Sequence, residues 1–224
     1  MAEGSPPIDL RTPLSLRSSY SFPLQSAESR HEVLIGALWL LVPIFGWLIN
    51  MGHRIRFVHN MQHGKPPWPA FSGTGELLRH GAVTFLGMVW YGWPGVSLFI
   101  GGAYFAYPML MVLGFALWLL AVIAIPGYMT HYCYAFDTRE IFDPRRALRR
   151  VAEGGLAYWH AWTVAASAML LSFLGLFAFG IGFLWTSVWF WQVAGFSFAT
   201  VFTQAFELQD SEALPSSPLP EGAS

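Results

Sequence analysis

Charged side chains are scarce in this chain, and the places where they are missing define its class. Asp, Glu, Lys and Arg make up 11% of the 224 residues, and all four are absent from three blocks: 33–53, 81–136 and 154–206. A surface helix of a soluble protein carries charge on the face turned away from the core. A segment that is apolar all round for about 20 residues belongs in a lipid bilayer. The sequence therefore predicts an all-α integral membrane protein.

The lengths of these blocks limit how often the chain can cross a membrane. At about 17–25 residues per crossing, the first block holds one span and the other two hold two each. We predict about five spans, with four or six as alternatives, at approximately 33–51, 82–102, 108–130, 157–177 and 182–204. Residues 31–206 would form a single transmembrane domain. The polar stretches 1–30 and 207–224 are expected to be flexible tails.

Cysteine pairs, catalytic motifs and ionised groups within the spans are missing as well. Cys133 is the only cysteine, which excludes an intrachain disulfide and a four-thiolate zinc site. Neither Gly-x-Ser-x-Gly nor a phosphate-binding loop occurs. The absence of charge within the spans argues against proton or sodium coupling. We expect no enzymatic activity and no cofactor, and the net charge of -1 does not favour nucleic acid as a partner.

Two basic connections orient the spans. The first, 52–80, contains Arg54, Arg56, Lys65 and Arg79, and the second, 131–154, contains Arg139, Arg145, Arg146, Arg149 and Arg150. Short loops rich in Lys and Arg stay in the cytoplasm, so we predict that both connections lie on the cytoplasmic side of the cell membrane. Five spans would place the N-terminus outside. A re-entrant hairpin in the first block would return it to the cytoplasm.

The second connection has the pattern of a short interfacial helix. Asp143-Pro144 is typical of a helix start, with Asp as the cap and Pro in the first turn. Four arginines then form two i,i+4 pairs on one arc: Arg145, Arg146, Arg149 and Arg150. We expect these guanidinium groups, with those of Arg54 and Arg56, to lie at the lipid headgroups. A solvated helix that only enforces topology is an equal alternative.

Histidines and small residues supply the remaining candidate sites. His59 and His63 are four residues apart and would share a helix face, where two imidazoles can bind a metal if a third ligand is present. The Glu of a zinc-protease helix is missing between them, and interfacial histidines without a metal are commoner. In the fourth predicted span, small residues form a packing face, within the bundle or between subunits: Ala161, Ala165, Ala168 and Ser172.

The first block and the connection after it resemble a known family. The likeness is carried by Gly36, Pro43, Gly46, Trp47, Gly52, His53, Arg56, Asn60, Gly64, Pro67, Trp68 and Phe71. In these residues the chain resembles a family of bacterial and archaeal membrane proteins, which is catalogued as domain of unknown function number four thousand and thirteen. The resemblance extends over about 33–204 and implies a multi-pass membrane protein, without a reaction, cofactor or substrate. Two departures are His53, where Tyr is more usual, and Pro69-Ala70, where acidic residues are expected.

Three functions are consistent with these features. The first is a non-enzymatic scaffold, assembly factor or subunit of a membrane complex, in contact with lipids and with other membrane proteins or copies of itself. The second is a permease-like protein for a lipid or apolar solute, in which Pro43, Pro94 and Pro126 would break helices. The third is a membrane enzyme using His59 and His63. A permease requires a cavity between the spans, and an enzyme requires a further ligand or base beside the histidines.

Overall fold

The computed structural model of the protein describes residues 7–210, and every regular element in this part of the chain is helical. The helices are α1 Leu16–Ser21, α2 Ala27–Trp39, α3 Phe45–Gln62, α4 Thr74–Tyr104, α5 Pro108–Ala135, α6 Arg139–Phe142, α7 Pro144–Glu153, α8 Gly155–Ser172 and α9 Ile181–Phe206. Short 3-10 turns follow α1 and α8, at Phe22–Leu24 and Phe173–Phe177. The all-α prediction is confirmed.

Three helical segments in the described chain are long and apolar enough to cross a membrane: Thr74–Tyr104, Pro108–Ala135 and Gly155–Phe177. They include the second, third and fourth predicted spans, whereas the predicted count of about five is not confirmed. The fifth predicted span corresponds to α9, which is 26 residues long. Polar side chains reduce the hydropathy of α9, and four of them are buried: Gln192, Ser197, Thr200 and Thr203.

The first apolar block forms two helices, where the sequence pattern predicts one span over 33–51. α2 ends at Trp39, and α3 begins at Phe45. Between them, Pro43 has no amide hydrogen to donate, and Ile44 adopts a left-handed φ of 64°. Asn50 Nδ2 donates to the carbonyl oxygens of Gly36, at 3.0 Å, and Gly46, at 2.9 Å. α2 and α3 therefore form a hairpin, and α3 continues as a helix into the predicted polar connection.

Close helix packing organises the rest of the bundle. α4 and α5 form one hairpin, α8 and α9 form another, and α3 packs against both α4 and α9. Where α3 crosses α4, a Cβ atom on Gly52 would lie 1.9 Å from the carbonyl oxygen of Leu77. A Cβ atom on Gly81 would likewise lie 1.9 Å from the carbonyl oxygen of Leu48. Only glycine allows the two backbones to approach this closely.

Both ends of the described chain meet at one end of the bundle. The Gln209 side chain donates to the carbonyl oxygens of Ile8, at 2.8 Å, and Met61, at 3.0 Å, and accepts from the Leu10 amide at 3.1 Å. Leu10 and Phe22 are buried in the core. Residues 7–30 therefore differ from the flexible tail expected there, because these apolar side chains anchor the segment. The other parts of the expected tails, 1–6 and 211–224, lie outside the described residues.

Candidate functional site

Arg54 lies inside the bundle with 8% of its surface exposed. Its Cζ atom is 4.7 Å from the centroid of the Trp191 ring, and its Nη2 atom is 3.1 Å from Met129 Sδ. Its buried Nε atom has no hydrogen-bond partner. Over residues 7–210, no carboxylate forms an ion pair with Arg54. This side chain was expected at the lipid headgroups; it is buried because α3 remains helical through Gln62 and turns residue 54 toward α5 and α9.

The charge of Arg54 is only partly compensated by its surroundings. Burial lowers the pKa of Arg54 to about 10, so the guanidinium is still cationic at neutral pH. A cation over a desolvated indole ring gains about 2 kcal/mol, and a thioether sulfur is a weak acceptor. These contacts are small beside the cost of removing an ionised group from water, which amounts to several kcal/mol. An anion beside Arg54 would supply the missing stabilisation.

An apolar cavity of about 210 Å³ opens beside Arg54, between the α4–α5 and α8–α9 hairpins. Its walls include Val122 and Ile125 of α5, Ala165 of α8, and Phe190 and Phe198 of α9. The volume exceeds the roughly 150 Å³ of an engineered cavity that binds benzene. Three further lining residues, Ala166, Met169 and Trp191, are exposed on the outer surface of the bundle. The cavity is therefore open to the outside of the helical bundle.

A smaller cavity of about 30 Å³ lies on the other side of Arg54, between α2, α3 and α9. It shares Arg54, Met88 and Trp191 with the larger cavity. Gln192 lines it, and neither Nε2 nor Oε1 of this buried amide has a hydrogen-bond partner. Asn50 Oδ1 is also buried and unpartnered. Both cavities are therefore lined mainly by apolar surface, and the smaller one is distinguished by the unpartnered amide groups of Gln192 and Asn50.

Glu32 of α2 and His53 of α3 form a second buried polar contact. Glu32 Oε2 lies 2.8 Å from His53 Nε2 and accepts a hydrogen bond from the Ala70 amide at 3.2 Å. Burial lowers the pKa of His53, and the neighbouring Glu32 opposes this shift only in part. The pair was missed in the sequence because Glu32 immediately precedes the first charge-free block. Hydrophobic periodicity gave no signal for it, because the buried positions of α2, at 29, 32, 33 and 36, include only one large apolar residue, Val33.

The histidine pair predicted as a weak metal site is close in space. The rings of His59 and His63 have centroids 4.1 Å apart. His59 Nδ1 lies 2.7 Å from the carbonyl oxygen of Cys133, and His63 Nδ1 lies 2.9 Å from that of His59. Within residues 7–210, no group of three His, Cys, Asp or Glu side chains is placed to hold a metal ion. The two histidines therefore remain candidate ligands without a third.

The other predicted basic residues lie near the surface, and most of them pair with acids. Arg56 pairs with Glu76, and Arg150 pairs with Glu140. Arg146 contacts Glu140 at 3.1 Å, and Arg149 contacts Glu153 at 3.8 Å. Asp143 caps α7 by accepting from the amides of Arg145 and Arg146. Much of the positive charge of α7 is therefore already neutralised within the chain.

The small residues of α8 face α9. All four are buried, namely Ala161, Ala165, Ala168 and Ser172. Ala161 and Ala165 pack in a cluster with Ala194 and Phe198 of α9, and Thr186 of α9 donates to the carbonyl oxygen of Ser172 at 2.7 Å. These contacts lie within one chain. Since Ala165 also lines the larger cavity, its small size leaves part of that space open.

Comparison with known proteins places the chain in a family. The model of the family described as "Protein of unknown function (DUF4013)" matches residues 35–181. The chain belongs to this family. No curated protein and no solved structure matches it. The DUF4013 region contains α3 to α8 and so includes Arg54 and the α5 and α8 walls of the larger cavity. Glu32, Trp191 and Gln192 lie outside the matched residues.

Proposed function

We propose that this DUF4013 protein is a non-enzymatic, multi-pass protein of the cell membrane that binds a lipid or apolar solute between its α4–α5 and α8–α9 hairpins. The observation that carries this proposal is the apolar cavity of about 210 Å³, enclosed mainly by α3, α5, α8 and α9. Ligand sites in helical bundles are typically formed between helices in this way. A permease-like protein or a lipid-holding subunit of a complex would both use such a cavity.

The proposed topology has four crossings and one re-entrant hairpin. α4, α5, α8 and α9 would cross the membrane, and the α2–α3 hairpin would enter and leave on the cytoplasmic side. Its tip is apolar and exposed, since Leu41 is 63% and Ile44 is 71% accessible. The contacts of Gln209 with residues 8–10 and with Met61 support a topology in which both ends of the described chain lie on the side of the basic connections.

Labelling of single cysteines tests this topology. Phe105→Cys lies in the exposed α4–α5 turn. Ser15→Cys is also exposed and follows Thr12, whose carbonyl oxygen accepts a hydrogen bond from Gln204 near the C-terminal end of α9. We expect a membrane-impermeant maleimide to label Phe105→Cys in intact cells and to label Ser15→Cys only after permeabilisation. The native Cys133 is buried and provides little background. Labelling of both sites from outside would contradict the re-entrant hairpin.

Native mass spectrometry tests the binding function itself. Protein in dodecyl maltoside would be incubated with decanol, and complexes would be detected after release from the micelle. Ala166→Phe adds bulk at the edge of the larger cavity, whereas Ala157→Phe adds the same bulk on the exposed surface of α8. We expect the first substitution to abolish the decanol complex and the second to leave it unchanged. Absence of the complex in wild-type protein would refute the proposal.

A scaffold or subunit role is a second candidate, favoured by the outer face of the α4–α5 hairpin. Trp93, Met109 and Val112 are among its many exposed apolar side chains. Lipid covers such a face in any membrane protein, but a partner helix can cover it equally well. A stable complex with another membrane protein in mild detergent would support this role, provided that Val112→Trp disrupts it. A preparation of uniform size without a partner would count against it.

A further inference from the structure

Arg54 combines three properties that the proposed cavity function does not by itself explain. It is cationic, it is buried, and its Nε atom lacks a hydrogen-bond partner. The ionisable groups whose charge would raise the pKa of Arg54 are the Cys133 thiol and the Tyr128 phenol, and neither is a carboxylate. Glu32, the nearest buried acid of the same helix pair, is occupied by His53 and the Ala70 amide. The chain therefore provides no internal anion for Arg54 within residues 7–210.

Arg54 lies between a buried, unpartnered amide and a large apolar cavity. The guanidinium belongs to the walls of both cavities. On one side, the unpartnered amide of Gln192 can donate a further hydrogen bond. On the other side, the larger cavity is lined by aliphatic and aromatic side chains. This arrangement matches a ligand with a charged head and an apolar chain.

The size of the larger cavity limits the ligand to one chain. Pockets that enclose most of a drug-sized molecule have volumes of about 300–1,000 Å³. At about 210 Å³, this cavity is smaller, and it suits one alkyl chain better than the paired chains of a phospholipid. Guanidinium groups bind carboxylate and phosphate oxygens through charge-assisted hydrogen bonds. Both headgroup chemistries are therefore compatible with Arg54.

We infer that the cavity selects a single-chain amphiphile with an anionic headgroup, which binds against Arg54 while its chain occupies the space between the hairpins. This inference rests on the proposed binding function and adds the charge of the ligand. The anionic group would be either the carboxylate of a fatty acid or the phosphate of a single-chain phospholipid. Binding would compensate the buried guanidinium.

Four probes with the same chain length separate charge from hydrophobicity: decanoate, decyl phosphate, decanol and decyltrimethylammonium. Their dissociation constants would be measured by native mass spectrometry on the full-length protein in dodecyl maltoside. We expect wild-type protein to bind the two anions roughly tenfold or more tightly than decanol, because each charge-assisted hydrogen bond is about twice as strong as a neutral one. The cationic probe, decyltrimethylammonium, should bind most weakly. Whichever anion binds more tightly identifies the headgroup chemistry.

Substitution of Arg54 tests its role directly. Arg54→Met keeps much of the side-chain volume and should bring the dissociation constants of the two anions close to that of decanol. Arg54→Lys should retain part of the preference. Arg145→Met removes one exposed positive charge on α7, a helix that lines neither cavity, and should change none of the four constants.

The possible outcomes distinguish the two proposals. Equal binding of decanoate, decyl phosphate and decanol to wild-type protein would overturn the role of Arg54 but leave the cavity function intact. A preference for anions that survives in Arg54→Met would also overturn it. Failure of all four probes to bind wild-type protein would refute the cavity function itself. If Arg54→Met does not fold, the order of the four probes on wild-type protein decides the question alone.

Discussion

Glu32 Oε2 lies 2.8 Å from His53 Nε2 in the buried contact between α2 and α3. The same carboxylate oxygen accepts a hydrogen bond from the Ala70 amide, and the His53 ring stacks on Phe71 with centroids 3.9 Å apart. One acidic side chain therefore joins α2, α3 and the segment that leads into α4. Its loss would leave two buried donors without an acceptor.

Substitution of Glu32 should destabilise the protein strongly. Each buried donor left unpaired costs about 1–3 kcal/mol, so we expect Glu32→Ala to lower the free energy of unfolding by about 3 kcal/mol. Glu32→Gln keeps an acceptor oxygen and should cost less. Reversible unfolding by SDS in mixed micelles measures both values. A Glu32→Ala protein as stable as wild type would show that the contact contributes nothing.

The crossing of α3 and α4 should not tolerate a methyl group. A Cβ atom on Gly81 would lie 1.9 Å from the carbonyl oxygen of Leu48, a backbone atom that cannot move aside without separating the helices. We expect Gly81→Ala to lower stability by about 3 kcal/mol, at the upper end of overpacking effects. Gly92→Ala is the matched control in α4, because its Cβ would meet nothing within 4 Å. Its melting temperature should equal or exceed that of wild type.

Acidification should destabilise the protein through His59. Burial, with a smaller contribution from nearby His63, Lys65 and Arg56, lowers the pKa of His59 to about 4. The unfolded chain has a histidine pKa of about 6.5 and so binds more protons in the interval between the two values. The stabilisation from keeping His59 neutral is therefore complete above pH 6.5 and is lost as the pH falls toward 4.

His59→Gln should make stability less dependent on pH in that interval. Thermal unfolding in detergent at a series of pH values from 7 to 4 provides the measurement. His31→Gln, which replaces an exposed histidine of α2, serves as the control and should leave the slope unchanged. An identical slope in His59→Gln and wild-type protein would exclude His59 as a cause.

The contact between the two chain ends depends on Gln209. Its side chain makes three hydrogen bonds, to Ile8, Leu10 and Met61. Gln209→Ala removes them, at a net cost of about 1 kcal/mol each. We expect faster hydrogen exchange at residues 8–14 with no change in α4 and α5. Gln25→Ala, at an exposed position, should not alter exchange at residues 8–14.

Several local features follow from the sequence because their causes lie within a few residues. Pro108 starts α5 and Asp143 caps α7 as predicted. In contrast, the sequence pattern of 33–51 is compatible with one span or with a re-entrant hairpin at Pro43. The structure has two helices, with the break at Pro43 and Ile44 and the hydrogen bond from Asn50 to Gly36 joining them. The short-range pattern also does not reveal that residues 7–30 pack on the bundle through Leu10 and Phe22.

The sequence by itself determined that the chain is helical and has segments long and apolar enough to cross a membrane, because the free energy of transfer into lipid is a sum over the residues of each segment. Only the tertiary structure decided that Arg54 is buried at a cavity and that Glu32 is paired with His53. The burial of a charge depends on atoms brought together from distant segments, here α3, α5 and α9 for Arg54. No periodicity within a single segment contains that information.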